Sequence, residues 1–294
     1  MQQHPTALAA QQQEDPQILS IKAEMNKSVK SFRASLGENT GAFATSLMEL
    51  ITSDTNLKKC PADKLIAEAV KAASIKLPLN KQLGYAYLVP YGTTPNMIIG
   101  YRGYIQLAMR TGQYRYINAD LVYEGELTHK DKLSGAISLD GEKASDRVVG
   151  YFAHFELLNG CTKTLYMTIE EMADYALSYS GTWARKKANE KPSPQALIER
   201  AQIQAKHGPE PGVGWWSNFN AMARKTVLRR LLSQYGYLTI DMMMAIDKDE
   251  KPVYSNAEEI READNAAPKQ VFTQVIQDAQ AEEIPANDPG DAPI

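Results

Sequence analysis

Between Leu83 and Tyr116 the chain reads LGYAYLVPYGTTPNMIIGYRGYIQLAMRTGQYRY, and no other stretch limits so strongly how the protein can fold. Two alternating runs, Gly84 to Val89 and Asn96 to Tyr101, flank a loop holding Pro90, Gly92 and Pro95, which is the pattern of an antiparallel hairpin. Tyr104, Leu107, Ala108 and Thr111 then recur at helical spacing, and Gly112 stands where a helix ends in a left-handed residue. The expected unit is strand, strand, helix. Tyr101 and Arg102 fall at the strand-to-helix junction, with Arg110, Tyr114, Arg115 and Tyr116 around the helix's far end. Phosphates attract guanidinium groups and bases stack on flat rings, so this surface suits a nucleic-acid strand. Half-buried packing is nevertheless the commoner role of a strand tyrosine.

Charge along the chain points the same way. From Asp241 onward there are 13 acidic and 4 basic side chains, a net of −9, which leaves +6 for residues 1–240 against −3 overall. A basic body favours polyanions through long-range attraction and counterion release. The acidic end either competes for that surface or keeps the protein in solution. Cys60 and Cys161 fit neither a disulfide framework nor a zinc spacing, so a reducing interior is expected. The start of the chain lacks the charged and apolar regions of a signal peptide, and no run is long enough to cross a bilayer. These features predict a cytoplasmic protein with no membrane partner.

Residues 1–17 are Gln-rich and polar, and disorder is expected there. Ile21, Met25, Val29 and Phe32, then Phe43, Leu47, Leu50 and Ile51, predict helices separated by a break at Asn39 to Gly41. Pro61 opens another helix, with Leu65, Ile66, Ala69 and Val70 on one face. After the central hairpin and helix, a strand is expected over Asn118 to Gly125, followed by a polar excursion from Glu126 to Asp146. Arg147 to Leu157 and Lys163 to Met167 read as a hairpin joined through Leu158-Asn159-Gly160. Thr168 and Glu171 have capping-box spacing, so a helix should begin there. Trp183 stands beside Arg185, Lys186 and Lys187 in an expected loop. Residues 188–214 read as a mobile insertion around a short helical patch.

The second informative stretch runs from Trp215 to Tyr237. Phe219, Ala223, Val227, Leu228, Leu231, Leu232 and Tyr235 predict a wide buried helix face. At about 100° per residue, Asn218, Lys225 and Arg229 fall within roughly 40° of one another on the opposite side. No acidic residue lies between Gly212 and Ile240, so this basic stripe has no partner along its own helix. The methionine run from Met242 reads as packing, and the acidic 255–294 segment is expected to be disordered.

In order and spacing, LGYAYLVPYG, MIIGYRGYIQLAMRTGQ and WWSNFNAMARKTVLRRL strongly resemble the RecT family of phage single-strand annealing proteins over roughly residues 40–250. The resemblance implies a mixed α+β core, single-stranded DNA as ligand and an annealed duplex as intermediate. It further implies no cofactor, assembly into homo-oligomeric rings or helical filaments, and partnership with a phage 5′-to-3′ exonuclease and with the host single-strand DNA-binding protein. Within the matching blocks, residue type and predicted face nominate Tyr101, Arg102, Arg110, Lys225, Arg229 and Arg230 as DNA contacts. Residue type and position add Arg115, Lys186, Lys187 and Asn218 as DNA contacts.

Catalysis fits the sequence poorly. No Gly-x4-Gly-Lys-Ser/Thr loop occurs, and His4, His129, His154 and His207 are scattered. Asp120, Glu124 and Glu126 offer carboxylates to magnesium, but no suitably spaced lysine accompanies them. The alternative reading is a double-stranded DNA-binding replication or packaging factor using the 219–235 helix in the major groove. That helix's buried face is too wide for it, and no helix-turn signature precedes it. The expected organisation is therefore an α+β core over residues 18–254, in which a helical N-terminal region precedes a β-β-α unit and further hairpins and helices, between disordered tails.

Overall fold

Apolar residues recurring every three or four positions make the N-terminal region helical, and each helix begins or ends at a recognisable local signal. The computed structural model describes residues 15–180, 183, 186–212, 214–237, 239, 242, 243 and 246. It opens with α1 (Pro16–Lys27), α2 (Val29–Leu36), α3 (Thr40–Ser53), α4 (Thr55–Lys58) and α5 (Ala62–Ser74). Asp15 caps α1 by accepting from the Gln17 amide at 2.9 Å, and Pro16 sets its first turn. Helix therefore starts inside the segment 1–17 for which disorder is expected; residues 1–14 lie outside the described residues. The break expected at Asn39 to Gly41 lies at Gly37–Asn39, a short 3-10 turn entered through Gly37 at φ 56°. Ile21, Phe32, Phe43, Leu47, Leu50, Ile51 and Leu65 are buried, as their spacing requires.

The central hairpin is β1 (Ala86–Tyr91) and β2 (Thr94–Ile99), paired from Ala86↔Ile99 to Tyr91↔Thr94. Its strands run nearer the turn than the alternation suggests, because Gly92 at φ 65° lets the chain reverse within two residues. Pro90 and Pro95 lie opposite each other near that end, where few ladder bonds are forgone. Ala86, Leu88, Met97 and Ile99 form the buried face, and the Met97 amide donates to Glu68 of α5 at 2.8 Å. Tyr87, Val89, Tyr91 and Ile98 occupy the other face.

Helix α6 (Tyr101–Arg110) follows at once and ends before Gly112, whose φ of 66° is the left-handed turn expected there. Hairpin and helix touch through glycine: the Gly100 amide donates to Tyr85 O at 2.8 Å, and a Cβ on Gly103 would stand 2.1 Å from that same oxygen. The next strand, β3 (Tyr114–Tyr123), begins four residues ahead of the expected Asn118. Tyr114 is drawn inward, its ring edge-on to Phe155 at 5.5 Å and its hydroxyl donating to Tyr237 O. Arg115 and Tyr116 are consequently strand residues.

A small hairpin, β4 (His129–Lys130) with β5 (Ile137–Ser138), occupies the polar excursion. The main sheet has order β3-β6-β7, all antiparallel, with β6 at Val148–Leu157 and β7 at Thr162–Thr168. Asn159 accepts from the Cys161 amide and Gly160 takes φ 84°, so the Asn-Gly hairpin forms as its residues predict. The capping box also forms: Thr168 Oγ1 accepts from the Glu171 amide and Glu171 from the Thr168 amide, starting α7 (Ile169–Tyr179).

Residues 188–214 hold more structure than a short helical patch. Helix α8 (Pro194–His207) has 14 residues and buries Leu197, Ala201 and Gln204 against the core. Helix α9 (Phe219–Tyr235) lies across the inner face of the sheet, with α6 and α8 packed beside it. Its apolar face is buried as expected except for Tyr235, the last helical residue, which is half exposed. Met242 and Ile246 are buried too, and residues 247–294, including the segment expected to be a disordered acidic tail, lie outside the described residues. The architecture is a mixed α+β core with a helical N-terminal region.

Two glycine variants separate close approach from mere helix entropy. Gly103→Ala is expected to lower stability by about 2–4 kcal/mol, because backbone must move to admit the methyl group. In α3, Gly41 has nothing within 4 Å of such a group, and Gly41→Ala should be neutral or stabilise by up to about 1 kcal/mol. Denaturant titration of both variants measures the difference; similar losses in the two would contradict the packing described.

Candidate nucleic-acid interface

The exposed face of the β1–β2 hairpin stands opposite the N-terminal half of α9, and the start of α6 joins them, enclosing a cleft of about 500 Å³. Tyr87, Val89, Tyr91 and Ile98 make one wall, apolar and aromatic. Asn218, Met222, Arg224 and Lys225 make the other. Tyr101 and Arg102 sit between the two walls. Four cations, Lys81, Arg102, Arg224 and Lys225, line the cleft, and among the described residues no carboxylate does. Gly100 and Asn218, which precede α6 and α9, also line it, and neither supplies a side-chain cap. Both helix dipoles thus present their positive ends to the same space.

The carboxylates nearest these cations stand behind them. Asp54 accepts from Lys81 at 3.0 Å, and Asp120 of β3 lies 3.6 Å from Arg224. Burial works to raise the Asp54 pKa, but Lys81 and the amides of Leu57 and Asn56 outweigh it and hold the carboxyl below its usual range. Arg224 also lies 5.8 Å over the Tyr101 ring, while its Nε is buried with no hydrogen-bond partner among the described residues. The Tyr101 hydroxyl donates to Ala119 O at 3.3 Å, which pins the ring beneath that guanidinium. Burial lifts the Tyr101 pKa, with the Arg224 charge opposing it, so the phenol stays neutral at neutral pH. Arg102 is exposed and has no carboxylate partner among the described residues.

Buried polar contacts fix the start of α9. Gln204, 5% exposed, accepts from the Phe219 amide at 2.7 Å and donates to Trp216 O at 2.9 Å. Asn220 accepts from the Tyr151 hydroxyl at 2.6 Å and donates to Ala201 O at 2.9 Å. Burial pushes the Tyr151 phenol far up, which keeps it a proton donor. These bonds tie α8, α9 and the sheet together immediately behind the cationic wall.

Of the residues nominated from sequence, the cleft gathers Tyr101, Arg102, Asn218 and Lys225. Lys225 is only 9% exposed, not on an open stripe, and lies within the cleft where α6 packs beside α9. The others lie elsewhere. Arg110 donates to Ile75 O and Lys76 O, closing the end of α5. Arg115 pairs with Glu156 at 2.7 Å on the sheet. Arg229 donates to the Tyr175 hydroxyl at 2.6 Å, and Arg230 lies over the Tyr175 ring and against Met167 sulfur. Lys186 and Lys187 are exposed after α7. Sequence reasoning passed over Lys81, Tyr87, Tyr91 and Arg224. Tyr87, Val89 and Tyr91 share one face of an alternating strand, a signal that was present; Arg224 sits about 100° round from Lys225 and had none.

The three carboxylates considered for magnesium serve separate partners. Asp120 faces Arg224, Glu124 accepts from Ser145 and Glu126 accepts from the Tyr123 amide. Among the described residues no group of three or more His, Cys, Asp or Glu is placed to hold a metal, and no helix is long and apolar enough to cross a membrane.

Replacing Gln204 tests how the cleft wall is held. Gln204→Leu should cost about 2–4 kcal/mol by leaving the Phe219 amide and Trp216 carbonyl without partners in the interior. Amide hydrogen exchange at the first turn of α9 should rise with it, and unchanged exchange there would contradict the role assigned to Gln204.

A family model described as RecT family matches residues 41–266, which contain the whole cleft. The uncharacterized protein YqaK of Bacillus subtilis strain 168 is 36% identical over 207 residues, covering 70% of this chain and 63% of that protein. Protein RecT of Escherichia coli K12 is 27% identical over 210 residues, covering 66% of this chain and 65% of its own length. The matched regions therefore span less than two-thirds of either relative. With most of its length matched by the family model, and with the hairpin, α6 and α9 all inside the match, the chain belongs to the RecT family.

Proposed function

We propose that the cleft binds single-stranded DNA and that the protein anneals complementary strands, without a nucleotide cofactor, in homologous recombination of phage or prophage DNA. The observation that carries this reading is the convergence of Lys81, Arg102, Arg224 and Lys225 with Tyr87, Tyr91 and Tyr101 in one space that no carboxylate among the described residues lines. Annealing needs no covalent chemistry. Two polyanions must be brought together, their repulsion offset, and their bases left able to pair. Cations on the α9 side meet phosphates, whose geometry is the same in every sequence, and the hairpin wall offers rings to bases of any kind. Binding of this sort tolerates any sequence, as annealing requires.

Family membership supports assembly of many copies on one strand, where modest contacts add through avidity. It also supports action in the cytoplasm alongside a phage 5′-to-3′ exonuclease and the host single-strand DNA-binding protein. A duplex-binding factor that inserts α9 into the major groove is disfavoured, because that helix is enclosed by the sheet, α6 and α8.

Salt dependence tests the site directly. Each phosphate contact on a single strand contributes about −0.7 to the slope of log K against log salt. Arg102→Ala should weaken single-strand binding and reduce the slope by about that amount. Arg115→Ala, whose guanidinium is held by Glu156 outside the cleft, should leave the slope unchanged. Fluorescence anisotropy over a salt series checks both; an altered slope in Arg115→Ala alone would move the site to the sheet. In competition, a duplex of the same sequence should displace the single strand poorly.

A further inference from the structure

An aromatic ladder leads from the cleft to the surface. Phe219, the first residue of α9, meets Trp215 edge-on at 5.2 Å. Trp215 lies in the loop whose Gly212, Gly214 and Asn218 line the cleft, and its ring is 6.3 Å from Tyr175 of α7. Tyr175 in turn stacks on Tyr179 at 4.7 Å with 31° between the planes. Tyr179 ends the ladder and is 65% exposed. Two cations of α9 hold the middle of it. Arg229 donates to the Tyr175 hydroxyl, and the Arg230 guanidinium lies 5.9 Å over the Tyr175 ring with no carboxylate partner among the described residues.

We infer that the Tyr175–Tyr179 stack is a second nucleic-acid contact, a platform on which a base of the same single strand stacks after the strand leaves the cleft. The inference rests on the reading of the cleft as a single-strand site. Along α9, Arg229 lies about 40° round from Lys225 and one turn, about 6 Å, farther on, so it continues the cleft's cationic wall toward the platform. A ring stacked on one side and exposed on the other presents a π-face of the size of a base. Burying that face in the fold would have stabilised it; left outside beside two guanidinium groups, it suits a ligand that carries both flat rings and negative charge. The first half of α7 carries Glu170, Glu171 and Asp174, but Tyr175 to Tyr179 contains no acid, so phosphates meet no opposing charge within that stretch. The platform lengthens the strand that one protomer holds, and it takes hold through a base face, which leaves the base's pairing edge open to a complementary strand.

The test compares two strands of equal length and charge, one of thymines and one lacking bases. Tyr179→Ala should weaken binding of the thymine strand at least about fivefold, the low end of what aromatic-to-alanine changes remove from a stacked base, and leave the baseless strand unaffected. Tyr179→Phe should bind both as the parent does, and the salt slope should be the same in all three. Because Tyr179 is mostly exposed, the alanine variant should melt like the parent; if it does not, Tyr179→Leu, which keeps the bulk and loses the π-face, carries the same expectation. Equal effects on the two strands, or no effect on the thymine strand, would overturn the platform. Failure of the cleft reading shows differently, as an Arg102→Ala variant that binds both strands as the parent does.

Discussion

Phe219, Ala223, Val227, Leu228, Leu231 and Leu232 bury α9 against the sheet, and the same helix carries Arg224 and Lys225 on the cleft that the hairpin and the start of α6 also line. Each large apolar side chain fully buried this way contributes about 1.5–3 kcal/mol. Burying most of a lysine side chain draws its charge toward the interior at a cost, and the apolar face of the same helix supplies what holds Lys225 where it is. A rigid helix anchored on one side can present charge on the other without giving way to a ligand. Gln204, Asn220 and Tyr151 set its first turn, so the positive end of the helix dipole falls beside the start of α6.

The ion pairs behind the cleft are weak enough to be replaced. Arg224 and Asp120 are 3.6 Å apart, with side chains 37% and 57% exposed, and such a pair is worth at most about 1 kcal/mol. A phosphate, which brings its own charge and several acceptor oxygens, can displace or share that partner. Asp54 is more committed, since it also caps α4 through the Asn56 and Leu57 amides, and Lys81 is thereby tethered at the cleft's edge. The cleft thus combines an exposed Arg102, which has no carboxylate partner among the described residues, with cations already oriented by neighbours, an arrangement that reduces the ordering cost of binding.

Local chemistry was legible in the sequence. Gly112, the Asn159-Gly160 hairpin and the Thr168–Glu171 capping box all formed where their residues predict, because each depends on contacts within a few positions. Tyr101, Arg102, Asn218 and Lys225 were picked out separately, and their meeting in one cleft depends on how α6 and α9 pack. What escaped was everything supplied across the fold. The early start of β3 is set by Tyr114 packing on Phe155, and the partner of Arg224 comes from a strand about a hundred residues away. Arg110, a cation of suitable type near the right helix end, is used up on the carbonyls that finish α5. Helical-wheel reasoning placed Lys225 opposite the apolar face but had no means of showing that a second layer covers it.

Photo-crosslinking tests the account's central claim most directly: a single strand carrying 5-iodouracil at successive positions, irradiated with the full-length protein and mapped by mass spectrometry. Crosslinks are expected at Tyr87, Tyr91 or Tyr101, the rings that line the cationic cleft. Crosslinks confined to Tyr116 and the outer face of the β3-β6-β7 sheet, with none in the cleft, would contradict it.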